Sequence, residues 1–384
     1  MIDKTVLKPS ATASGLLKAA FPGKYIQGEH ALSMVPELIE SFGGKGLVLA
    51  SPSVISGVLS DYPFRETNVE INVETFRGEC SRTELDRLSR LVESSGPGVV
   101  IGMGGGKVID TAKIVADKAN IPVIIVPTIA STDAPCSGCA VIYDDEGVFE
   151  SVYYQKMNPQ VVLVDTRVIA DAPVRFLLAG MGDALATWFE ARSCRRSHSK
   201  NECGGYSTLT GFHLARLCYD TLLEYGPAAK VAAEQKIITP ALDHIIEANI
   251  LLSGLGFESS GLAAAHAIHN GLSALPETHG YFHGEKVAFG VLAGLHLTDS
   301  PREEMDTVYA FCESVGLPVT LSDIGIQDCS RDHLMKAAVK ACAPGEAIHH
   351  EAMIVIPEWV VDAMIAADAM GRLRRQKQSN LKNK

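Results

Sequence analysis

No apolar run in this chain approaches the roughly 18–20 residues a membrane-spanning helix needs, so no membrane is expected as a partner. A secretory leader is also not expected. Lys18 interrupts the only apolar patch of MIDKTVLKPSATASGLLKAAF, no small-residue cleavage site comes after it, and the segment reads as a short N-terminal extension. Positive charge is scarce: 34 Lys and Arg against 45 Asp and Glu leave a net charge of −11. Such a surface repels phosphate backbones and argues against nucleic acid as a partner. A disulfide framework is lacking too. The nine cysteines are odd in number and scattered, which fits reduced thiols and a cytoplasmic location. The one CxxC, Cys136-Ser137-Gly138-Cys139, has no second pair and no thioredoxin context. With His283-Gly284-Glu285 it echoes a zinc deaminase signature only in reversed order, so two small buried cysteines are the better account.

What is present is a globular composition, 47% hydrophobic and 21% charged, on 384 residues, a length that predicts two domains. Buried strands are expected at Gly46–Ala50, Val99–Ile101, Val123–Val126 and Val161–Val164, with an alternating one at Ile71–Phe76. Ser81 and Glu84 read as a capping box before a helix carrying Leu85, Leu88, Leu91 and Val92, and a second helix is expected over Lys107–Ala119. This alternation predicts an α/β region with a parallel, Rossmann-like sheet over residues 1–173. Beyond about Pro173 the patterns turn mostly helical, so residues 174–384 are expected to form an all-α domain. The basic stretch Gly371–Lys384 reads as a helix end and then a solvated tail.

The sharpest local feature is Gly102-Met103-Gly104-Gly105-Gly106-Lys107-Val108-Ile109-Asp110, which comes after a strand and opens a helix. Gly104, Gly105 and Gly106 let backbone N–H groups approach a phosphate, the helix start favours negative charge, and Lys107 can add a cation. It is not a P-loop, because Val108 stands where Ser or Thr is required. Nor is it a standard dinucleotide fingerprint, because Lys107 stands where the third glycine belongs. In the usual dinucleotide fold a carboxylate at the end of the second strand grips the ribose 2′-hydroxyl. Here that strand ends in Ser51-Pro52-Ser53, which leaves NAD and NADP both open.

A loop rich in hydroxyls, Pro127-Thr128-Ile129-Ala130-Ser131-Thr132-Asp133, continues from Val123–Val126, at the strand end where such sheets bind ligands. Four of the twelve histidines, His266, His269, His279 and His283, crowd into GLAAAHAIHNGLSALPETHGYFHGEK. His266 and His269 share one helix face, and a cluster this dense points to a metal or catalytic site. Asp183, in Gly180-Met181-Gly182-Asp183, is a candidate third ligand, its alternative being a helix N-cap. One carboxylate and two imidazoles with an open position suit catalytic Zn²⁺ or Fe²⁺.

With GMGGGKVIDTAK, PTIASTDAPCS, GMGDALATWFEAR, ESSGLAAAHAIHNGL and HGEKVAFG in order, the chain resembles the glycerol dehydrogenases of the iron-containing alcohol dehydrogenase superfamily, from about Gly23 to Pro344. The resemblance implies a dehydroquinate synthase-like fold with the site between its two domains, and a cytoplasmic homo-oligomer, commonly an octamer. It implies metal binding, zinc in this family, at Asp183, His266 and His283. It implies pyrophosphate contact at Gly106, Lys107 and Asp110, and dinucleotide lining by Ser51, Thr128, Ser131, Ser137, Cys139 and Tyr143. Asp133 would reach a polyol substrate, and His269 would line the site. Ser51 departs from the aspartate usual there, and Cys139 from a commoner aliphatic residue. The expected reaction is oxidation of glycerol to dihydroxyacetone with NAD. Another short diol such as 1,2-propanediol is the alternative. A dehydroquinate synthase-type lyase is disfavoured, because residues 255–290 carry only Lys286 to hold a phosphorylated acid.

Overall fold

The computed structural model describes residues 15–61, 64 and 68–382, so most of the N-terminal extension lies outside the described residues. Its last part runs beside Tyr206: the Lys18 N–H donates to the Tyr206 carbonyl and the Tyr206 N–H to the Leu16 carbonyl.

Eight strands are described: β1 (Tyr25–Gly28), β2 (Lys45–Ala50), β3 (Glu70–Thr75), β4 (Val99–Gly104), β5 (Val123–Pro127), β6 (Cys139–Tyr143), β7 (Phe149–Tyr154) and β8 (Val161–Asp165). Six form one parallel sheet in the order β1-β8-β5-β4-β2-β3. The central strands are continuous apolar runs because helices cover both faces; β4, β5 and β8 are buried along their whole length. β3, at the edge, has no buried residue and is mostly exposed, with only Ile71 and Glu74 half-buried. The expected strands and the parallel sheet are present. Two features escape the sequence patterns: β1 on the opposite edge, and an antiparallel hairpin of β6 and β7.

Ser81 caps α1 (Arg82–Ser95) as expected, its hydroxyl accepting from the Glu84 N–H. The capping box does not close. Glu84 instead accepts the Arg77 N–H at 3.1 Å and pairs with Arg87, which draws the carboxylate away from the Ser81 backbone. The glycine turn leads from β4 into α2 (Gly106–Ala119).

All eight strands precede Pro173, the N-cap of α3 (Val174–Ser197), and the chain beyond it is helical. The helices that build and brace the site are α4 (Leu209–Glu234), α5 (Ser253–Ser260), α6 (Ala264–Leu272), α7 (His283–Leu297), α8 (Arg302–Val315) and α9 (Pro357–Lys382). No described helix is long and apolar enough to cross a membrane. The expected solvated tail is instead the last turns of α9. There Arg374 bonds Glu313 and Asp306, and Arg375 bonds Asp323, so charge pairing extends the helix past the point where its apolar pattern ends.

Candidate active site

α3 delivers the central side chain. Asp183 is not the N-cap the sequence offered as an alternative: the helix begins nine residues earlier, at Val174, and runs straight through both glycines. Gly182 and, in the first turn of α7, Gly284 are needed for close approach. A Cβ on Gly182 would lie 2.3 Å from the Gly284 carbonyl, and one on Gly284 would lie 1.8 Å from the Ala179 carbonyl. The missing side chains let α3 and the first turn of α7 touch backbone to backbone, which brings the buried Asp183 against His283, the first residue of α7.

The Asp183 Oδ1 lies 3.0 Å from His283 Nε2 and 3.3 Å from His266 Nε2. One ligand atom from each of these residues falls within 4.8 Å of the other two, and among the described residues they form the one group with metal-ligand geometry. Burial alone would raise the Asp183 pKa, but His283 and His266 outweigh it and hold the carboxyl well below the usual range. Burial works against protonation of His266, whereas Glu190 and Asp183 raise its pKa well above the ordinary value.

Glu190 was not singled out from the sequence, although it stands on the same face of α3 as Asp183, two turns on. It is buried; its Oε2 sits 2.6 Å from His266 Nδ1, and its Oε1 accepts the N–H groups of Ala263 and His266. This fixes the imidazole with Nε2 turned to the cluster. On the other side, His269 Nε2 lies 3.1 Å from His283 Nδ1, and burial together with His283 keeps the His269 pKa well below its ordinary value. His279 stands apart, its Nε2 against the Ser273 carbonyl.

The loop after β5 reaches the cluster. The Asp133 N–H donates to Asp183 Oδ2 at 3.3 Å, and its carboxylate accepts the Ser253 hydroxyl at 2.7 Å. Burial, then the neighbouring Asp183, push the Asp133 pKa well above the usual range. Ser253 comes directly after a π-helical turn at Ala248–Leu252, in which Asn249 ties the Ala130 and Leu177 carbonyls together. Such turns recur where a helix must aim side chains at a site. Sequence periodicity gives no signal for either residue.

At the other end of that loop lies a cleft of about 770 Å³. It is lined by Ser51 and Arg77, by Gly105, Gly106 and Lys107 of the glycine turn, and by Ile129 and Phe176. A Cβ on Gly106 would meet nothing within 4 Å, so the turn offers its backbone to open space. Lys107 pairs with Glu79 and stacks over the Tyr143 ring, 5.6 Å from its centroid. Gly104 ends β4, and its carbonyl accepts the N–H of Thr128, a buried residue; Ser131 is half-buried in the same loop.

The remaining sequence candidates bond to protein groups. Asp110 accepts the Val141 N–H at 3.0 Å, and burial raises its pKa to about 6 despite Lys113. Ser137 is buried and bonded within its own loop, and Cys139 is only half-buried, with its carbonyl accepting from Lys113. Lys113, fully buried and also missed from the sequence, cross-links the Ala134–Cys139 loop from below. Glu258 does so from above through the Gly138 N–H and Asn158.

Comparison with known proteins places this arrangement. The profile of the iron-containing alcohol dehydrogenase family matches residues 22–166. A glycerol dehydrogenase of Thermotoga maritima is 55% identical, over 92% of this chain and 98% of its own. One from Escherichia coli is 48% identical over 91% and 96%. The solved structure of a probable glycerol dehydrogenase from Sinorhizobium meliloti superposes with a TM-score of 0.88 at 44% identity, over 93% of this chain and 99% of that one. Relatives this similar along nearly their whole length leave one conclusion: the chain is an oxidoreductase belonging to the iron-containing alcohol dehydrogenase family.

Proposed function

We propose that the chain oxidises glycerol to dihydroxyacetone, passing hydride to a nicotinamide dinucleotide, in a cleft between an α/β domain (residues 1–173) and a helical domain (174–384). The observation that carries this reading is one loop with two ends. Ile129 lines the cleft beside the glycine turn, and the Asp133 N–H bonds the carboxylate at the centre of the Asp183–His266–His283 cluster. A cofactor in the cleft and a substrate at the cluster would therefore be neighbours.

The cluster suits a divalent ion. One carboxylate oxygen and two imidazole nitrogens leave a coordination position free, and Glu190 backs His266 in the manner of a metal-bound histidine. We assign zinc. When bound, the ion supplies Lewis acidity that lowers the pKa of a diol hydroxyl. The dinucleotide supplies the hydride acceptor.

The protein's own groups do the rest. Gly105, Gly106 and the N–H groups opening α2 receive the pyrophosphate, with Lys107 as counter-charge. Asp133, steadied by Ser253 and bonded through its N–H to the cluster's carboxylate, is the group we assign to a second hydroxyl of the polyol. The hydroxyl proton of the alcohol must also leave. His269 is the nearest imidazole outside the ligand set, its Nε2 3.1 Å from His283 Nδ1 and 3.5 Å from the Ser273 hydroxyl, and is the group we assign to take it up. We further assign the chain to the cytoplasm as a homo-oligomer, which sedimentation of the purified protein would test.

The deciding experiment is steady-state reduction of NAD, and separately of NADP, by glycerol at mildly alkaline pH. It is run on protein as purified, after chelation, and after adding zinc back, with metal content read by mass spectrometry. Activity lost to the chelator and restored by zinc supports the proposal. No turnover of glycerol by zinc-loaded protein, with turnover of 1,2-propanediol, would replace the substrate. No turnover of any diol would remove the mechanism.

A further inference from the structure

One wall of the cleft has a chemistry that the proposed reaction leaves undefined. In the parallel sheet, β2 lies beside β4, so its carboxyl end stands next to the glycine turn, where the adenosine ribose of a dinucleotide rests in folds of this kind. Discrimination there is usually electrostatic: a carboxylate holds both ribose hydroxyls and repels a 2′-phosphate. Here the position is Ser51, and no acidic residue lines the cleft among the described residues. The Ser51 hydroxyl lies 3.1 Å from that of the exposed Ser53, within one turn of it.

Just past β3, the strand that pairs with β2, stands Arg77, exposed and lining the same cleft. Nearby carboxylates are otherwise engaged. Glu79 pairs with Lys107, and Glu84 takes the Arg77 backbone N–H and pairs with Arg87. The Arg77 guanidinium itself makes no ion pair among the described residues. An unpaired guanidinium and a serine hydroxyl lining one cleft, with no carboxylate on the wall, are the donors that a phosphate dianion selects.

We propose that Ser51, Ser53 and Arg77 form a 2′-phosphate pocket, so that this chain binds NADP in preference to NAD. The inference rests on the reading of the cleft as a dinucleotide site, and its test separates the two. The metal-loaded protein is titrated calorimetrically with 2′,5′-ADP and with 5′-ADP, as wild type and as the Ser51→Asp and Arg77→Ala variants. Aspartate caps the Pro52–Ser56 turn as serine does, and Arg77 is exposed, so both variants should fold.

The expected result is 2′,5′-ADP bound about tenfold more tightly than 5′-ADP by the wild type, as charge-assisted bonds to a phosphate allow. Arg77→Ala should cut that ratio by about tenfold, and Ser51→Asp should invert it. Tighter binding of 5′-ADP by the wild type, or a ratio that Arg77→Ala leaves unmoved, overturns the 2′-phosphate pocket while leaving the dinucleotide site standing. Binding of neither nucleotide overturns both.

Discussion

Glu190 touches no substrate in the proposed reaction, yet it decides which nitrogen of His266 faces the cluster. Glu190→Gln keeps an oxygen for the Ala263 and His266 N–H groups while removing the charge behind Nδ1. Zinc affinity should fall by about 10–100-fold, the usual effect of losing such an outer partner, with the circular dichroism spectrum unchanged. Competition with a chromogenic chelator measures it; unaltered affinity would leave Glu190 a purely structural role. Asp110 makes a different prediction. Burial lifts its pKa from 3.8 to about 6, so the folded state holds this proton more tightly than the unfolded chain. Its contribution to stability is therefore present at low pH and lost as pH rises from about 4 through 6. Asp110→Asn, which can still accept the Val141 N–H, escapes this loss. Its advantage over the wild type should grow by ~3 kcal/mol across that window, read from urea unfolding at several pH values without cofactor. A difference that stays flat with pH would show that the Asp110 carboxylate is solvated in the native state.

The contact between α3 and α7 depends on two missing side chains. Gly182 and Gly284 let the helices meet at backbone distance, and the two ligands this contact brings together, Asp183 and His283, are their immediate neighbours in the chain. Gly182→Ala places a methyl group where the Gly284 carbonyl now lies, so the helices must part. The cost should be about 1–3 kcal/mol of stability, as for other overpacked interiors. Bound zinc should fall as well, because the shift moves Asp183 away from His283. Thermal unfolding and metal analysis on one preparation check both, and full zinc occupancy at unchanged stability would contradict the packing argument. The glycine turn at β4 works by the same means with a different outcome: Gly106 leaves open space for a ligand, whereas Gly182 leaves space for another helix.

The Asp183–His266–His283 cluster also joins three helices, α3, α6 and α7, drawn from well-separated parts of the chain, so an ion bound there should stabilise the fold as a whole. Metal that binds only the native state adds about 4 kcal/mol when its concentration is a thousand times the dissociation constant. Chelation should accordingly lower the Tm by several degrees, reversibly on adding zinc; a Tm indifferent to chelator would place the ion outside the structural core. The basic end of α9 acts over a similar reach, because Arg374 and Arg375 tie it to Glu313 on α8 and to Asp323.

Much of this architecture is legible in the chain itself. Fully buried strands are runs of Val, Ile and Leu, and a glycine-rich turn between strand and helix is local chemistry, so β2, β4, β5, β8 and α2 come from short-range rules. The edge strand β1, four half-buried residues, and the β6–β7 hairpin carry patterns too short or too mixed to stand out. The histidine cluster stands out by density, but its partners do not. Glu190, Ser253, Asn249 and Lys113 look like ordinary helix residues, and each acquires its part from a segment at least 21 residues away in the chain. Asp183 resembles a helix cap until the helix is seen to begin nine residues earlier. Hydrophobic periodicity and turn chemistry act between neighbours and so fix elements. The orientation of a buried polar side chain depends on which distant donor or carboxylate the packing sets beside it, and packing settles that only once α3, α6 and α7 have met.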